Sequence, residues 1–155
     1  MRDISTQVVS RQEPLDRLWA WNIAAGQCFF RYRNALFPLM FCVAVLTLQF
    51  IRPLRRQQLI RSVANGLHDN GCLLLVEKVL SRHSALNRFF ITYYYGLKQR
   101  NGYSQIEIAQ KREALENVLI PYRIEENTEL LLGNGFRECE VFFKWYNFSG
   151  IIGIK

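Results

Sequence analysis

Residues 98–117 concentrate the side chains of this chain that could bind a charged ligand. Asn101-Gly102 predicts a turn, and Ser104 with Glu107 has the spacing of a capping box, so a helix should begin at about Gln105. The polar residues of this helix are Gln110, Lys111, Arg112, Glu113 and Glu116, and its predicted apolar stripe is Ile106, Ala109, Leu115 and Val118. Spacing alone is more typical of a solvated surface helix than of a binding site.

No other group of reactive residues is recognisable in the sequence. No Ser-His-Asp, Cys-His or paired-carboxylate pattern indicates catalysis. The four cysteines are Cys28, Cys42, Cys72 and Cys139, and they lack C-x-x-C spacing. We therefore expect reduced thiols, in apolar runs at Cys42 and Cys72, rather than disulfides or metal ligands. His68 and His83 are isolated and are expected at the surface, so no metal site is predicted.

A strand-helix-strand unit is expected to precede the polar helix. Residues 41–50 form an apolar run typical of a strand buried on both faces of a parallel sheet. Pro53 should break it, and residues 55–66 predict a helix that faces the sheet. The residues on its inner side are Leu59, Ile60, Val63 and Leu67. Residues 67–71 predict a turn and residues 72–77 a second buried strand, adjacent and parallel to the first.

The second half of the chain predicts two further helices and a hairpin. Residues 84–97 should form a helix whose buried side carries Leu86, Phe89, Phe90 and Tyr93. The run Tyr93-Tyr94-Tyr95 is interpreted as packing rather than as a platform for stacked bases. A short helix at residues 125–132 and strands at residues 137–145 and 147–154 complete an α/β pattern.

Residues 1–34 sustain neither helical nor strand periodicity, and residues 1–40 are interpreted as a segment distinct from a domain at residues 41–155. The formal net charge is +7, but no basic cluster is interleaved with aromatic residues as in RNA-binding motifs, so no direct nucleic-acid partner is expected. The largely apolar run at residues 35–51 has 17 residues, short of the roughly 20 that a spanning helix needs, and a membrane span is kept as an alternative. The first residues lack the order of a secretory signal, and a cytoplasmic location is expected.

The run Arg100-Asn-Gly-Tyr-Ser-Gln-Ile-Glu-Ile-Ala-Gln-Lys-Arg-Glu-Ala-Leu-Glu-Asn117 resembles the segment that marks the carboxy-S-adenosyl-L-methionine synthases. The likeness continues through Leu132-Gly-Asn-Gly-Phe136 and Val141-Phe-Phe-Lys-Trp-Tyr-Asn-Phe148. It corresponds to the C-terminal half of that family's domain. The resemblance implies an incomplete Rossmann-like sheet of the class I S-adenosyl-L-methionine (SAM)-dependent methyltransferases, ending in an antiparallel hairpin.

The reaction of the family indicates which step this half could take part in. The family converts SAM and prephenate to carboxy-SAM, which is used to modify the wobble uridine of some tRNAs. The resemblance implies that Arg112 grips the added carboxylate of carboxy-SAM, in its own subunit or across a dimer. A planar guanidinium pairs bidentately with a carboxylate, which lysine cannot imitate. The alternative for Arg112 is an i,i+4 ion pair with Glu116.

The adenosyl half of the family's site is expected to be absent. Residues 1–40 contain a single glycine, Gly26, so they offer no G-x-G turn for the nucleotide. The family's Asp-Ile pair over the adenine falls at or before Met1, and its ligand-proximal Asn aligns with Val45.

The leading hypothesis is a truncated or degenerate carboxy-SAM synthase, inactive by itself, that dimerises with itself or with an intact homologue. The second hypothesis is a non-catalytic partner of an intact homologue. The third is a small membrane protein anchored by residues 35–51.

Overall fold

The structure is a computed structural model that describes residues 39–155. Five strands and four helices are found there: β1 Leu39–Val45, α1 Pro53–Gly66, β2 Leu67–Leu80, α2 Ser84–Arg100, α3 Gln105–Leu115, β3 Tyr122–Arg123, α4 Ile124–Leu132, β4 Glu138–Trp145 and β5 Phe148–Ile154. A single 3-10 turn at Leu48–Phe50 follows β1. The segment predicted as distinct at residues 1–40 lies almost entirely outside the described residues.

The predicted parallel pair of strands is confirmed. β1 pairs with β2 in parallel, with Phe41 opposite Cys72 and Val45 opposite Val76. The predicted end of the first strand and the predicted start of the helix were wrong. β1 stops at Val45 because Leu46 adopts a positive φ of 51°, and Pro53 starts α1 instead of merely ending a strand. Proline suits the first helical turn, where its missing N–H has no helical partner in any case.

The turn predicted at residues 67–71 is wrong, because β2 already begins at Leu67. Leu39 pairs with Leu67 and Phe41 with Cys72, so the extra residues form an irregular part of the strand. Asn70 takes a φ of 66° within it, a conformation that asparagine tolerates better than most residues.

The strand order is β1-β2-β5-β4, and β3 pairs with the end of β2. β5 runs antiparallel to both β2 and β4, and the turn between β4 and β5 lies at Tyr146-Asn147. This confirms the predicted terminal hairpin on a parallel pair. The carboxyl ends of β1 and β2 share one edge of the sheet, which is where α/β proteins bind ligands.

The core lies between one face of the sheet and the helices α1 and α4. Its buried members are Cys42, Leu48, Ile60, Val63, Ala64, Leu67, Leu73, Leu75, Leu131, Phe136 and Ile151. Ile60 and Val63 confirm the predicted inner side of α1. Gly153 in β5 allows Phe136 to approach closely, since a Cβ there would lie 3.0 Å from the Phe136 ring.

Two predicted helix faces were wrong. α2 buries none of its residues, and Leu86 and Phe89 on its predicted inner side are exposed. On α3, Ile106 is exposed and Ile108 is buried in its place. Both misassignments have one cause: a helix with apolar residues on several sides can be oriented only by what packs against it.

The alternative of a spanning helix over residues 35–51 is contradicted by β1, which occupies Leu39–Val45. Within residues 39–155, no helix is long and apolar enough to cross a membrane.

Candidate functional site

A cavity of about 390 Å³ lies beside the carboxyl end of β2, between α2 and α3. Its walls share aromatic, aliphatic and basic character, and the lining residues are Lys78, Tyr94, Tyr95, Lys98, Ile108, Lys111, Arg112, Leu115, Glu116 and Leu119. Arg112 is therefore part of a cavity wall and not of a featureless surface.

Local sequence explains where Arg112 lies. Gly102 makes the preceding turn with a φ of 90°, and the predicted capping box is confirmed by hydrogen bonds between Ser104 and Glu107. The Glu107 N–H donates to Ser104 Oγ at 3.2 Å, and the Ser104 N–H donates to Glu107 Oε2 at 2.8 Å. Ile108 then anchors the helix in the protein, and Arg112 follows one turn later on the same side.

The cavity carries an excess of positive charge. Four of its lining side chains are cations, and Glu116 is its only acid. The Lys98 ammonium lies 4.8 Å from the centre of the Tyr94 ring, and that of Lys78 lies 5.5 Å from the same ring. Cation-π contact of this kind orients an amine while leaving its N–H groups available for an anion.

Burial and mutual repulsion act on the two lysines. Burial lowers the pKa of Lys78, and the neighbouring Lys98 lowers it further. The pKa of Lys98 is lowered by burial and then by Lys111. A bound carboxylate would relieve this repulsion, so the electrostatics of the cavity favour an anionic ligand.

A buried carboxylate, Glu77, directly precedes Lys78 in β2. Glu77 accepts the backbone N–H groups of Thr47, Leu48 and Gln49 at 2.8, 2.7 and 3.1 Å. Burial raises the pKa of Glu77 from its ordinary value of 4.5 to about 7, outweighing these three hydrogen bonds. The Gln49 side chain in turn accepts the backbone N–H of Lys78 at 3.1 Å, so the turn after β1 is joined to the residue that enters the cavity.

Arg56 of α1 belongs to the same buried network. Its side chain is 1% exposed, and its guanidinium donates to the carbonyl oxygens of Ile51 at 2.8 Å and Ile120 at 2.6 Å. It also lies 4.0 Å from the centre of the Tyr122 ring. These contacts hold the segment that follows α3, and with it Leu119 in the cavity wall.

Sequence reasoning found Arg112 and, on the same helix, Lys111, but it missed Lys78, Lys98, Glu77 and Arg56. A signal was present for Glu77, since an acid ended a predicted strand. Its partners stand 28 to 30 residues away, so nothing local showed what it would bind.

None of the described histidines and cysteines lines the cavity. No ion pair joins Arg112 to Glu116 among the described side chains. His68 and His83 are exposed, as expected. Cys42, Cys72 and Cys139 are free, and burial raises the pKa of Cys42 to about 12. No cluster of potential metal ligands occurs within the described part of the chain. Gly26, Cys28 and the residues near Met1 lie outside it.

The tyrosine run divides between two roles. Tyr94 and Tyr95 line the cavity, whereas Tyr93 stacks on Tyr146 with 4.0 Å between ring centres. Packing therefore accounts for Tyr93, as predicted.

The fold defined by this sheet is that of the SAM-dependent methyltransferases of class I. Human N-acetylserotonin methyltransferase, solved in complex with SAM, matches with a TM-score of 0.51 at 12% identity over 80% of this chain and 32% of its own. An O-methyltransferase family 2 protein from Planctomyces limnophilus matches with a TM-score of 0.52 at 18% identity, over 79% of this chain and 32% of its own.

Relatives of higher identity narrow this class to one family. The carboxy-S-adenosyl-L-methionine synthase of Methylococcus capsulatus is 59% identical over 122 residues, which are 79% of this chain and 49% of that protein. The synthases of Nautilia profundicola and Sulfurimonas denitrificans are 50% and 51% identical, over 73% and 70% of this chain and 48% and 46% of theirs. No protein-family model matches. The chain is a homologue of the carboxy-S-adenosyl-L-methionine synthases, and it spans about half the length of the curated relatives it matches.

Proposed function

We propose that this chain is the C-terminal half of a carboxy-SAM synthase domain and that its cationic cavity receives the carboxylate that distinguishes carboxy-SAM from SAM. The observation that carries the proposal is the position of Arg112 in the wall of a cavity with three lysines and a single acid. A guanidinium beside amines offers both a bidentate partner and a positive potential to a carboxylate.

The named residues would divide the work by geometry. Arg112 pairs with the carboxylate, and Lys98, oriented over Tyr94, supplies a second positive charge. Glu77 and Arg56 act through the backbone by holding the turn after β1 and the segment after α3. As the resemblance to the family implies, the second substrate would be prephenate, and the product would serve modification of the tRNA wobble uridine.

The chain does not supply a complete catalyst in this proposal. Nucleotide-binding α/β domains use a Gly-rich turn after their first strand, and no such turn can be assembled from the sequence of residues 1–40. Activity therefore requires the other half of a family domain.

A chimaera tests the proposal. Residues 39–155 of this chain would replace the matching half of the Methylococcus relative, and formation of carboxy-SAM from SAM and prephenate would be followed by mass spectrometry. We expect the chimaera to be active, Arg112→Lys to reduce the rate on the order of tenfold or more, and Arg88→Lys on exposed α2 to leave it unchanged. A folded but inactive chimaera, or equal rates for both variants, would reject the proposal.

A further inference from the structure

The two faces of the sheet are covered very differently. α1 and α4 pack on the face that carries Cys42, Leu73, Leu75 and Ile151. Residues paired across neighbouring strands share a face, and the opposite face, here named the open face, is built by Phe41, Val43, Val45, Cys72, Leu74, Val76, Ile152 and Ile154. Phe41, Val43 and Val45 are 51%, 48% and 44% exposed, and the other members are only partly buried.

The free edge of β1 borders the open face. Among the described strands, β1 has one neighbour, β2, and its other edge pairs with none of them. Its sequence, Leu39-Met-Phe-Cys-Val-Ala-Val45, contains no charge, no proline and no lysine of the kind that protects exposed edges. An apolar face beside an unprotected edge is a surface shaped for a partner.

We propose that the open face and the free edge of β1 are the docking surface for the N-terminal half of a carboxy-SAM synthase domain. The proposal rests on the assignment of this chain as a C-terminal half, but it does not require that the assembled domain be active.

The uncovered face and the unpaired strand edge both favour this half-domain as the partner. Parallel sheets are normally covered by helices on both faces. On this side of the sheet, α2 packs at Lys78 and Phe148 through Tyr94, and the open face beyond them lacks a covering helix among the described residues. A parallel strand at an open edge lacks a further strand. In doubly wound domains the strand that begins the second half lies beside the first strand of the first half, and the ligand binds in the crevice between them.

The relatives supply both missing parts in one piece. This chain matches 49% of the Methylococcus synthase, which leaves about half of that protein to bring the strand and the covering helices. The crevice so formed would lie at the carboxyl end of β1 and β2, where the turn at Leu48–Phe50 is held by Glu77.

The test mixes the full chain with the separately produced remaining half of the Methylococcus synthase. Light scattering after gel filtration should show a 1:1 heterodimer, and hydrogen exchange should show protection of the β1 amides on mixing. Val43→Asp places a charge in the middle of the docking surface and should weaken association on the order of 100-fold or more. Leu54→Asp is the matched control, because Leu54 is 97% exposed on α1, behind the opposite face.

Three outcomes would overturn the proposal. A homodimer of this chain that Val43→Asp disrupts would make a second copy the occupant. A monomer that ignores the added half and already protects its β1 amides would make residues 1–38 the occupant. Equal loss with Leu54→Asp would show general instability and not docking. A heterodimer that forms but makes no carboxy-SAM would leave the docking surface standing and reject the proposed function.

Discussion

The chain alone should bind neither SAM nor carboxy-SAM at sub-millimolar concentration, although it carries Arg112. A dissociation constant of 1 mM corresponds to about −4.1 kcal/mol. One charge-assisted pair between Arg112 and the ligand carboxylate contributes about 1.5–3 kcal/mol. Arg112 is exposed, so solvent screening places its contribution near the lower end of that range.

The other contacts of the cavity do not supply the binding free energy that is still missing. Lys98 adds a second charge, but all three lysines of the cavity are partly exposed, and exposed ion pairs contribute roughly 0–1 kcal/mol. Against this sum stands the loss of translational and rotational freedom of the ligand, at about 4 kcal/mol or more. In the proposed function, the cavity of this half would therefore contact the carboxylate without retaining the nucleoside.

Isothermal titration calorimetry with carboxy-SAM, and with SAM as the matched ligand that lacks the carboxylate, measures this directly. We expect no saturable heat below 1 mM with either ligand and no turnover with prephenate. In the heterodimer with the other half, Arg112→Lys should reduce the preference for carboxy-SAM over SAM by about tenfold, because an ammonium cannot form the bidentate pair. A dissociation constant below about 1 mM for the chain alone would refute the reasoning, and an unchanged preference in the variant would make Arg112 an ordinary surface residue.

The remaining predictions concern stability and are measured in the chimaera, except the last. Because burial raises the pKa of Glu77 to about 7 in the folded state, its contribution to stability is present below about pH 4.5 and is lost as the pH rises through 7. This contribution amounts to about 3 kcal/mol of unfolding free energy. Glu77→Gln should flatten the pH dependence of the unfolding free energy, measured with urea, across that range. An unchanged pH dependence would show that Glu77 does not titrate there. Arg56→Leu should cost about 3–5 kcal/mol, since it leaves Glu77 without a counter-charge and two carbonyl groups unpaired, whereas exposed Arg55→Leu should change stability by less than about 0.5 kcal/mol. The isolated chain should be poorly soluble because of its open face, so a monodisperse monomer that melts cooperatively would contradict this interpretation of the sheet.

The sequence by itself determined the elements whose signals are local. The apolar run at residues 41–50, the capping box of Ser104 and Glu107 and the alternation around Tyr146-Asn147 predicted β1, α3 and the terminal hairpin. The family was also recognisable, because the run at residues 100–117 is specific to it. Each of these depends on side chains within one or two turns or strands of each other, so chain order alone brings them together.

Only the tertiary structure decided which sides of the helices are buried and what surrounds Arg112. Ile108 faces inward on α3 where Ile106 was expected, because helix orientation depends on the elements it meets. Lys78 and Lys98 enter the cavity from β2 and α2, and Arg56 reaches Ile120 across 64 residues of chain. Such contacts join groups whose separation in sequence carries no pattern, and burial of Glu77 shifts its pKa only after the fold has removed it from water.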